Sequence, residues 1–137
     1  MASARKNEKQ NIAFMELYKS VDVRIRERFG TADGVSEYIR RLEQLPQSAK
    51  AGSRLACIRQ DHRMLKHLRW ARNMLAHEAS YSDEILKDGD MEWLDVFSRE
   101  LRQSRDILST FDGKTNRNKK KSAKHTLADR IREVFFG

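Results

Sequence analysis

Apolar residues recur at helical spacing along the chain as far as about residue 111. The first such stripe has separations of four, three, four and four residues, at Phe14, Tyr18, Val21, Ile25 and Phe29. This period predicts a first helix from about Asn7 to Phe29, with Leu17 flanking the stripe. Gly30 follows in the position where glycine commonly ends a helix.

A second, shorter amphipathic helix is predicted from about Val35 to Leu45, after the turn sequence GTADG. Its apolar face consists of Val35, Tyr38, Ile39, Leu42 and Leu45. Pro46 blocks any continuation because proline lacks the backbone N–H that a helix interior needs.

Two longer helical regions follow. The third begins near Ser48 or Ser53 and extends to about Ala79, and Asp61 is able to cap a new start within it. After the turn-rich segment SYSDEILKDGD, a last bundle helix is predicted from about Met91 to Phe111. Its buried side is marked by Trp93, Leu94, Phe97, Leu101, Ile107 or Leu108, and Phe111. The fold class is therefore all-α, a four- to five-helix up-and-down bundle.

The predicted domain organisation has four parts. Residues 1–6 form a flexible N-terminus, and residues 7–111 form the bundle. Residues 112–125, DGKTNRNKKKSAKH, lack apolar periodicity and predict a flexible basic linker. Residues 126–137 carry a small apolar face at Leu127, Ile131, Val134 and Phe135. They predict a short amphipathic C-terminal helix that docks on its own bundle, on a second subunit or on another protein.

Composition narrows the class of protein. The 137 residues include one proline, and their 28 Lys and Arg exceed 20 Asp and Glu to give a net charge of +8 at pH 7. That balance favours a polyanion such as RNA or DNA, although a solvated basic surface explains it equally well. The single cysteine, Cys57, excludes an internal disulfide and is expected to be a small core residue. The sequence has no apolar run typical of a signal peptide and none long enough to span a membrane, so we expect a cytoplasmic protein that does not bind a membrane.

The third helical region carries the candidate chemistry. One polar flank holds residues spaced by four, three, four and four positions, namely His62, Lys66, Arg69, Asn73 and His77. Arg72 lies instead within or at the edge of the apolar stripe, between Leu68 and Leu75. A guanidinium stays charged, so this placement requires an anionic or carbonyl partner. Either a bound phosphate fills that role, or the stem packs while the head reaches an acid such as Asp61, Glu43 or an acid of the last helix.

A fixed cation, an amide and a titratable imidazole together suit metal-independent cleavage of a phosphodiester. His77 would activate a ribose 2′-hydroxyl, Arg72 would neutralise the charge that develops on the phosphorane, and Asn73 would orient the substrate. Five residues separate Arg72 from His77 by about 140° around an ideal helix. Loosening of the helix end, or a twofold partner with its own copy, would let the groups converge.

The segment RNMLAH, Arg72 to His77, resembles the motif of HEPN domains, in which an arginine and a polar residue precede a histidine on a small helical bundle. The resemblance implies a homodimer with facing motifs and a metal-independent endoribonuclease of toxin–antitoxin or defence systems. By position, Arg72 and His77 match the catalytic pair and Asn73 the polar residue. Ala79 occupies the place where some HEPN toxins carry a tyrosine.

The leading interpretation is thus a homodimeric HEPN-type ribonuclease, with no cofactor and no metal, and with an antitoxin protein as a further partner. RNA-binding residues are predicted on the third helix and in the linker, at Lys66, Arg69, Lys119, Lys120 and Lys121. The alternative is a non-catalytic HEPN-like module that binds nucleic acid or a partner protein. Trp70 and Trp93 are expected as core or interface anchors rather than as platforms for base stacking.

Overall fold

The fold is all-α, as predicted. The computed structural model describes residues 2–49 and 52–111, and no strand occurs among them. The helices are α1 (Ala2–Phe29), α2 (Val35–Glu43), α3 (Ser53–His77) and α4 (Asp90–Arg102), with a short 3-10 turn at Gln47–Ala49 between α2 and α3. Residues 107–111 are also helical. The helices pack as a bundle, so the predicted fold class is confirmed.

The stripes read from the sequence form the core. The fully buried side chains include Phe14, Val21, Ile25, Val35, Tyr38, Leu42, Leu65, Leu68, Leu94 and Phe97. Tyr38 of α2 meets Phe97 of α4 edge to face, with ring centroids 5.2 Å apart, and Trp93 stacks on Phe97 at 5.1 Å. Each helix has one apolar face, and packing the four faces together removes them all from water.

The α1–α2 connection is tight because two glycines allow it. Gly30 has a φ of +66°, which suits glycine, and its N–H donates to the Arg26 carbonyl at 2.8 Å. Gly34 packs directly against Asp22 of α1, so that a Cβ there would collide with the Asp22 carbonyl oxygen. Asp22 Oδ1 in turn accepts the Val35 N–H at 2.7 Å and so caps α2. This contact fixes the start of α2 beside the C-terminal part of α1.

Two asparagines of α1 hold the loop that follows α3. Asn11 is 1% exposed, and its amide nitrogen donates to the carbonyls of Tyr81 and Asp83 at 2.7 and 2.8 Å. Asn7 donates to the Ser82 carbonyl at 3.1 Å. Because these bonds satisfy backbone acceptors that have no helical partner, they determine where the chain goes after α3.

The α3–α4 arrangement has its own polar link. Nε2 of His67 lies 2.7 Å from Oδ2 of the buried Asp90, and the imidazole is the donor because a carboxylate only accepts. The same oxygen accepts the Lys87 N–H at 2.8 Å. His67 therefore has a structural partner at the first residue of α4.

Several predicted helix ends need correction. α1 begins at Ala2 rather than near Asn7, so the described residues before Asn7 extend the first helix. α3 runs without interruption through Asp61, since the apolar stripe continues on both sides of it. α2 ends at Glu43, close to the predicted end.

The predicted last helix from Met91 to Phe111 is interrupted. α4 ends at Arg102, and Ser104 has a φ of +55°, a conformation that an α-helix does not contain. The helical residues 107–111 follow Asp106, whose Oδ2 accepts the Ser109 N–H at 3.3 Å as a new N-terminal cap. The local preference of aspartate for caps thus breaks a stripe that looks continuous in sequence.

The chain divides into two units between Ser98 and Arg99. The first contains α1 to α3 and the first part of α4, and it includes the entire Arg72 to His77 motif. The predicted linker at 112–125 and terminal helix at 126–137 lie outside the described residues, and the domain scheme stays a prediction.

Candidate functional site

A groove of about 630 Å³ lies between α1, the α1–α2 loop and α3. From α3 it is lined by Arg69, Arg72 and Asn73, and from α1 by Tyr18 and Asp22 among others. The volume is in the range typical of ligand sites in proteins. Three of the residues that the sequence singled out therefore border one cavity.

Arg72 points into solvent and the groove, not against the core. The buried face of α3 consists of Ile58, Leu65, Leu68, Ala71 and Leu75. Arg72 lies beside this face, about 40° from Leu68 and about 60° from Leu75 on an ideal helix, yet its side chain is exposed. Nη1 of Arg72 donates to Oδ1 of Asn73 at 3.1 Å.

Glu43, one of the acids suggested as a structural partner for Arg72, has a different partner. Glu43 pairs with His62, with 2.7 Å between Oε2 and Nε2, and that hydrogen bond lowers the pKa of Glu43. Within residues 2–49 and 52–111, no carboxylate forms an ion pair with Arg72. The guanidinium keeps its full charge beside the groove.

Arg69 lies one turn before Arg72 and Asn73, and it is half-buried. Its Nη1 donates to the Ser36 hydroxyl of α2 at 3.0 Å, which holds the guanidinium at the groove wall. This hydrogen-bond partner is neutral, while Glu43 of α2 is close enough for Arg69 to help lower the pKa of that carboxyl. Arg69 and Arg72, three residues apart, present two cations on one side of α3.

Tyr18 places a hydroxyl between these cations and α1. The residue is 6% exposed, and burial is the main cause that raises the pKa of its hydroxyl. Asp22 raises the pKa further, whereas Arg72 and Arg69 act in the opposite direction. The hydroxyl therefore remains protonated and is a hydrogen-bond donor within electrostatic range of both guanidiniums.

Two of the acids that line the groove, Asp22 and Asp33, bind other groups of the protein. Asp22 caps α2 and lies 3.2 Å from Nε of Arg26, a buried nitrogen without a hydrogen bond. Asp33 pairs with Arg40 at 3.1 Å. The cations that line the groove are Lys19, Arg26, Arg69 and Arg72. Glu16, an exposed acid, also lines the groove, so its four cations face three acids, and both lining cations of α3 lie on the same wall.

His77 is not one of the residues that line the groove. It is exposed and is the last residue of α3, about one turn beyond Asn73. The N–H groups of Glu78 and Ala79 both donate to the Met74 carbonyl, at 2.8 and 2.6 Å. α3 is helical through His77, and the wider Ala79 bond comes only after it, so Arg72 and His77 keep their helical separation and only Arg72 lines the groove.

The remaining predicted residues fall in different places. Lys66 is exposed on α3, and Lys119 to Lys121 lie outside the described residues. Trp70 is 49% exposed and stacks beside His67 at 5.9 Å, so it is not a core residue. Cys57 is exposed as well, contrary to the expectation of a core position.

Sequence reasoning did not predict four of the residues that line the groove, namely Tyr18, Asp22, Arg26 and Ser36. Tyr18 reads as one member of the α1 stripe, which hides the fact that its hydroxyl reaches a polar cavity. A signal was present, however, because Tyr18, Asp22 and Arg26 form a row at four-residue spacing along the edge of that stripe.

Metal chemistry has no evident site in the part of the chain that the structure describes, where no three or more His, Cys, Asp or Glu are clustered. None of its helices is long and apolar enough to cross a bilayer.

The fold and the groove define a helical-bundle protein with a basic cleft between its first and third helices. The chain belongs to the family described as "Family of unknown function (DUF6548)", which matches residues 12–133. No curated protein and no solved structure shows significant similarity to the chain.

Proposed function

We propose that the protein is a metal-independent endoribonuclease of the HEPN type that acts as a homodimer. The observation that carries this proposal is the exposed Arg72–Asn73 pair on a groove, with a guanidinium that no described carboxylate neutralises. The neutral side-chain oxygen of Asn73 binds the Arg72 guanidinium only weakly. A phosphodiester can therefore displace it and form stronger, charge-assisted hydrogen bonds with Arg72.

The reaction assigns one role to each motif residue. His77 takes the proton of the ribose 2′-hydroxyl, and the 2′-oxygen forms a bond to the adjacent phosphorus. The bond from phosphorus to the 5′-oxygen breaks, and that oxygen receives a proton from an imidazolium or from water. Arg72 stabilises the negative charge of the phosphorane, and Asn73 positions the strand. The products are a 2′,3′-cyclic phosphate and a 5′-hydroxyl end.

A dimer supplies the convergence that one chain lacks. Because α3 is regular up to His77, Arg72 and His77 project in different directions from the same helix. Across a twofold axis, Arg72 of one subunit and His77 of its partner can flank one phosphodiester. Lys66, Arg69 and Lys119 to Lys121 add phosphate contacts along the bound strand.

The first test is RNA cleavage in excess chelator by the wild type and by Arg72→Ala and His77→Ala. Both variants should lose about a hundredfold or more of the rate. Arg63→Ala and His62→Ala, at other positions of α3, are the matched controls and should keep it. Cleavage that persists in both motif variants, or that requires a metal, rejects the proposal.

The second test mixes Arg72→Ala with His77→Ala. If each site combines residues of two subunits, the mixed dimer contains one intact site and regains part of the activity. If each site belongs to one chain, every site in the mixture lacks one group and the mixture stays inactive. Sedimentation of the wild type should show a dimer, and a monomer at micromolar concentration contradicts the composite site.

The second candidate is a non-catalytic helical module that binds RNA or a partner protein. The position of His77 outside the groove favours it. RNA binding that depends on Arg69 and Arg72, without any cleavage of bound RNA, supports this candidate over the enzyme.

A toxin or defence effector in the cytoplasm is the cellular role that fits such a ribonuclease, with an antitoxin protein as its regulator. Induced expression of the wild type should then arrest growth, whereas His77→Ala should not. An antitoxin is expected to be encoded beside the gene and to relieve the arrest when co-expressed.

A further inference from the structure

We infer that the groove formed by Tyr18, Arg69 and Arg72 holds the nucleotide adjacent to the cleaved bond, with its phosphate between Arg69 and the Tyr18 hydroxyl. This inference rests on the proposed ribonuclease function for the position of the cleaved bond. It adds a second, non-reacting phosphate and assigns a binding role to Tyr18.

The arrangement of donors supports an anion at this point. Arg69 is anchored by Ser36 and Arg72 by Asn73, so both guanidiniums are oriented by neutral groups and retain unused N–H donors. The Tyr18 hydroxyl, protonated because of its burial, faces the same cavity. Three donors from two helices thus border one groove, and the nearest acid in its wall, Asp22, is already bound to the Val35 N–H and to Arg26.

The spacing along α3 supports two adjacent phosphates. Arg69 and Arg72 are separated by three residues, a rise of about 4.5 Å, on nearly the same face of the helix. If Arg72 contacts the cleaved phosphodiester, Arg69 is placed for a neighbouring phosphate in the direction away from His77. The groove has about 630 Å³ of space beside these donors for the intervening sugar and base.

The wall of the groove formed by the α1–α2 loop is held by contacts with Asp22, which favours specific binding over non-specific electrostatic attraction. Gly34 lies against Asp22, and Asp22 caps α2, so the α1–α2 loop that closes the groove has little freedom. A cleft with fixed walls loses less entropy when a ligand binds.

The test measures binding of a labelled single-stranded RNA of about ten nucleotides to protein that also carries His77→Ala, which prevents cleavage. Tyr18→Phe removes only the hydroxyl, and Arg69→Ala removes the guanidinium. Each should raise the dissociation constant about tenfold, as expected for loss of one hydrogen bond to a charged group. Arg69→Ala should also lower the slope of log K against log salt by about 0.7, one phosphate contact on a single strand.

The matched controls are Tyr81→Phe in the loop after α3 and Arg63→Ala on α3, neither of which lines the groove. They should change the dissociation constant by less than about twofold. Thermal unfolding of each variant checks that the fold is intact, and Arg69→Lys serves as a second variant if Arg69→Ala unfolds. Equal effects of Arg63→Ala and Arg69→Ala would show only general attraction by basic charge and would overturn the inference.

The outcome is separable from that of the proposed function. If Tyr18→Phe and Arg69→Ala weaken RNA binding but the wild type cleaves no RNA, the phosphate site is supported and the ribonuclease proposal is rejected. If cleavage needs Arg72 and His77 while changes at Tyr18 and Arg69 alter neither the cleavage rate nor RNA binding, the phosphate site is rejected and the ribonuclease proposal is supported.

Discussion

Nη1 of Arg72 and Oδ1 of Asn73, on adjacent residues of α3, are joined by a hydrogen bond of 3.1 Å. The bond holds the arginine at the groove without cancelling its charge, since an amide oxygen is neutral. An acid in the same place would hold the arginine equally well and occupy the charge that a phosphate needs. The identity of residue 73 therefore controls how available Arg72 is.

Asn73→Asp should consequently reduce RNA cleavage about tenfold, because a carboxylate of nearly the same shape pairs with Arg72 and competes with the substrate. Gln60→Glu, an exposed change on α3 with the same effect on net charge, is the control and should have a much smaller effect. Initial rates in chelator provide the measurement. Equal losses in the two variants would mean that general repulsion of RNA, not the Arg72 contact, is responsible.

Asn11→Ala should lower the free energy of unfolding by about 1–3 kcal/mol, because the carbonyls of Tyr81 and Asp83 lose their donor in a partly buried place. Asn7→Ala removes a single exposed bond from the same helix and should cost less than about 0.5 kcal/mol. Denaturant unfolding compares the two variants. A similar cost for both would show that the loop after α3 does not depend on Asn11.

Gly34→Ala should destabilise the fold by about 1–3 kcal/mol, since its Cβ would collide with the Asp22 carbonyl and force the α1–α2 loop away from α1. The φ of Gly34 is −103°, so the cost comes from steric contact and not from backbone preference. Ala32→Ser, in the same loop but exposed, should leave stability within about 0.5 kcal/mol. Unchanged thermal unfolding of Gly34→Ala would refute the close approach.

The His62–Glu43 contact predicts a dependence on pH. Its hydrogen bond lowers the pKa of Glu43 below 4.5, so the contact stabilises the fold above that pH and this contribution is lost as the pH falls through the lowered pKa. His62→Gln should move the carboxyl titration of Glu43 upward towards 4.5, as followed by NMR. Lys66→Gln removes only a weaker influence and should move it less. No movement in His62→Gln would contradict the assigned cause.

The sequence predicted correctly the helices that combine a periodic apolar face with a residue that ends a helix, such as glycine or proline. The apolar face of α2 is buried as predicted at Val35, Tyr38, Ile39 and Leu42. Gly30 ends α1 through its positive φ. Helix ends without such a signal were misplaced. The break after Arg102 depends on the left-handed backbone of Ser104 and the cap from Asp106, which compete with periodicity.

The candidate site was predicted only in part. Asn73 and Arg69 border the groove as their positions on α3 suggested, and Arg72, expected within or at the edge of the apolar stripe, joins them with an exposed side chain. The opposite wall could not be inferred, because Tyr18 is distant in sequence and looks like any other residue of an apolar stripe. Only the packing of α1 against α3 gives its hydroxyl a polar neighbourhood.

The order of apolar and polar residues by itself determined that this protein is a helical bundle, and it placed the arginine, asparagine and histidine on one helix. That is so because helix formation and amphipathicity are local properties with a period of 3.6 residues. The tertiary structure alone decided which side chains face each other: Tyr18 with Arg69 and Arg72, Asp22 with Gly34, and His77 apart from the groove. Those relationships depend on how helices rotate and approach when their apolar faces pack, and no local pattern encodes them.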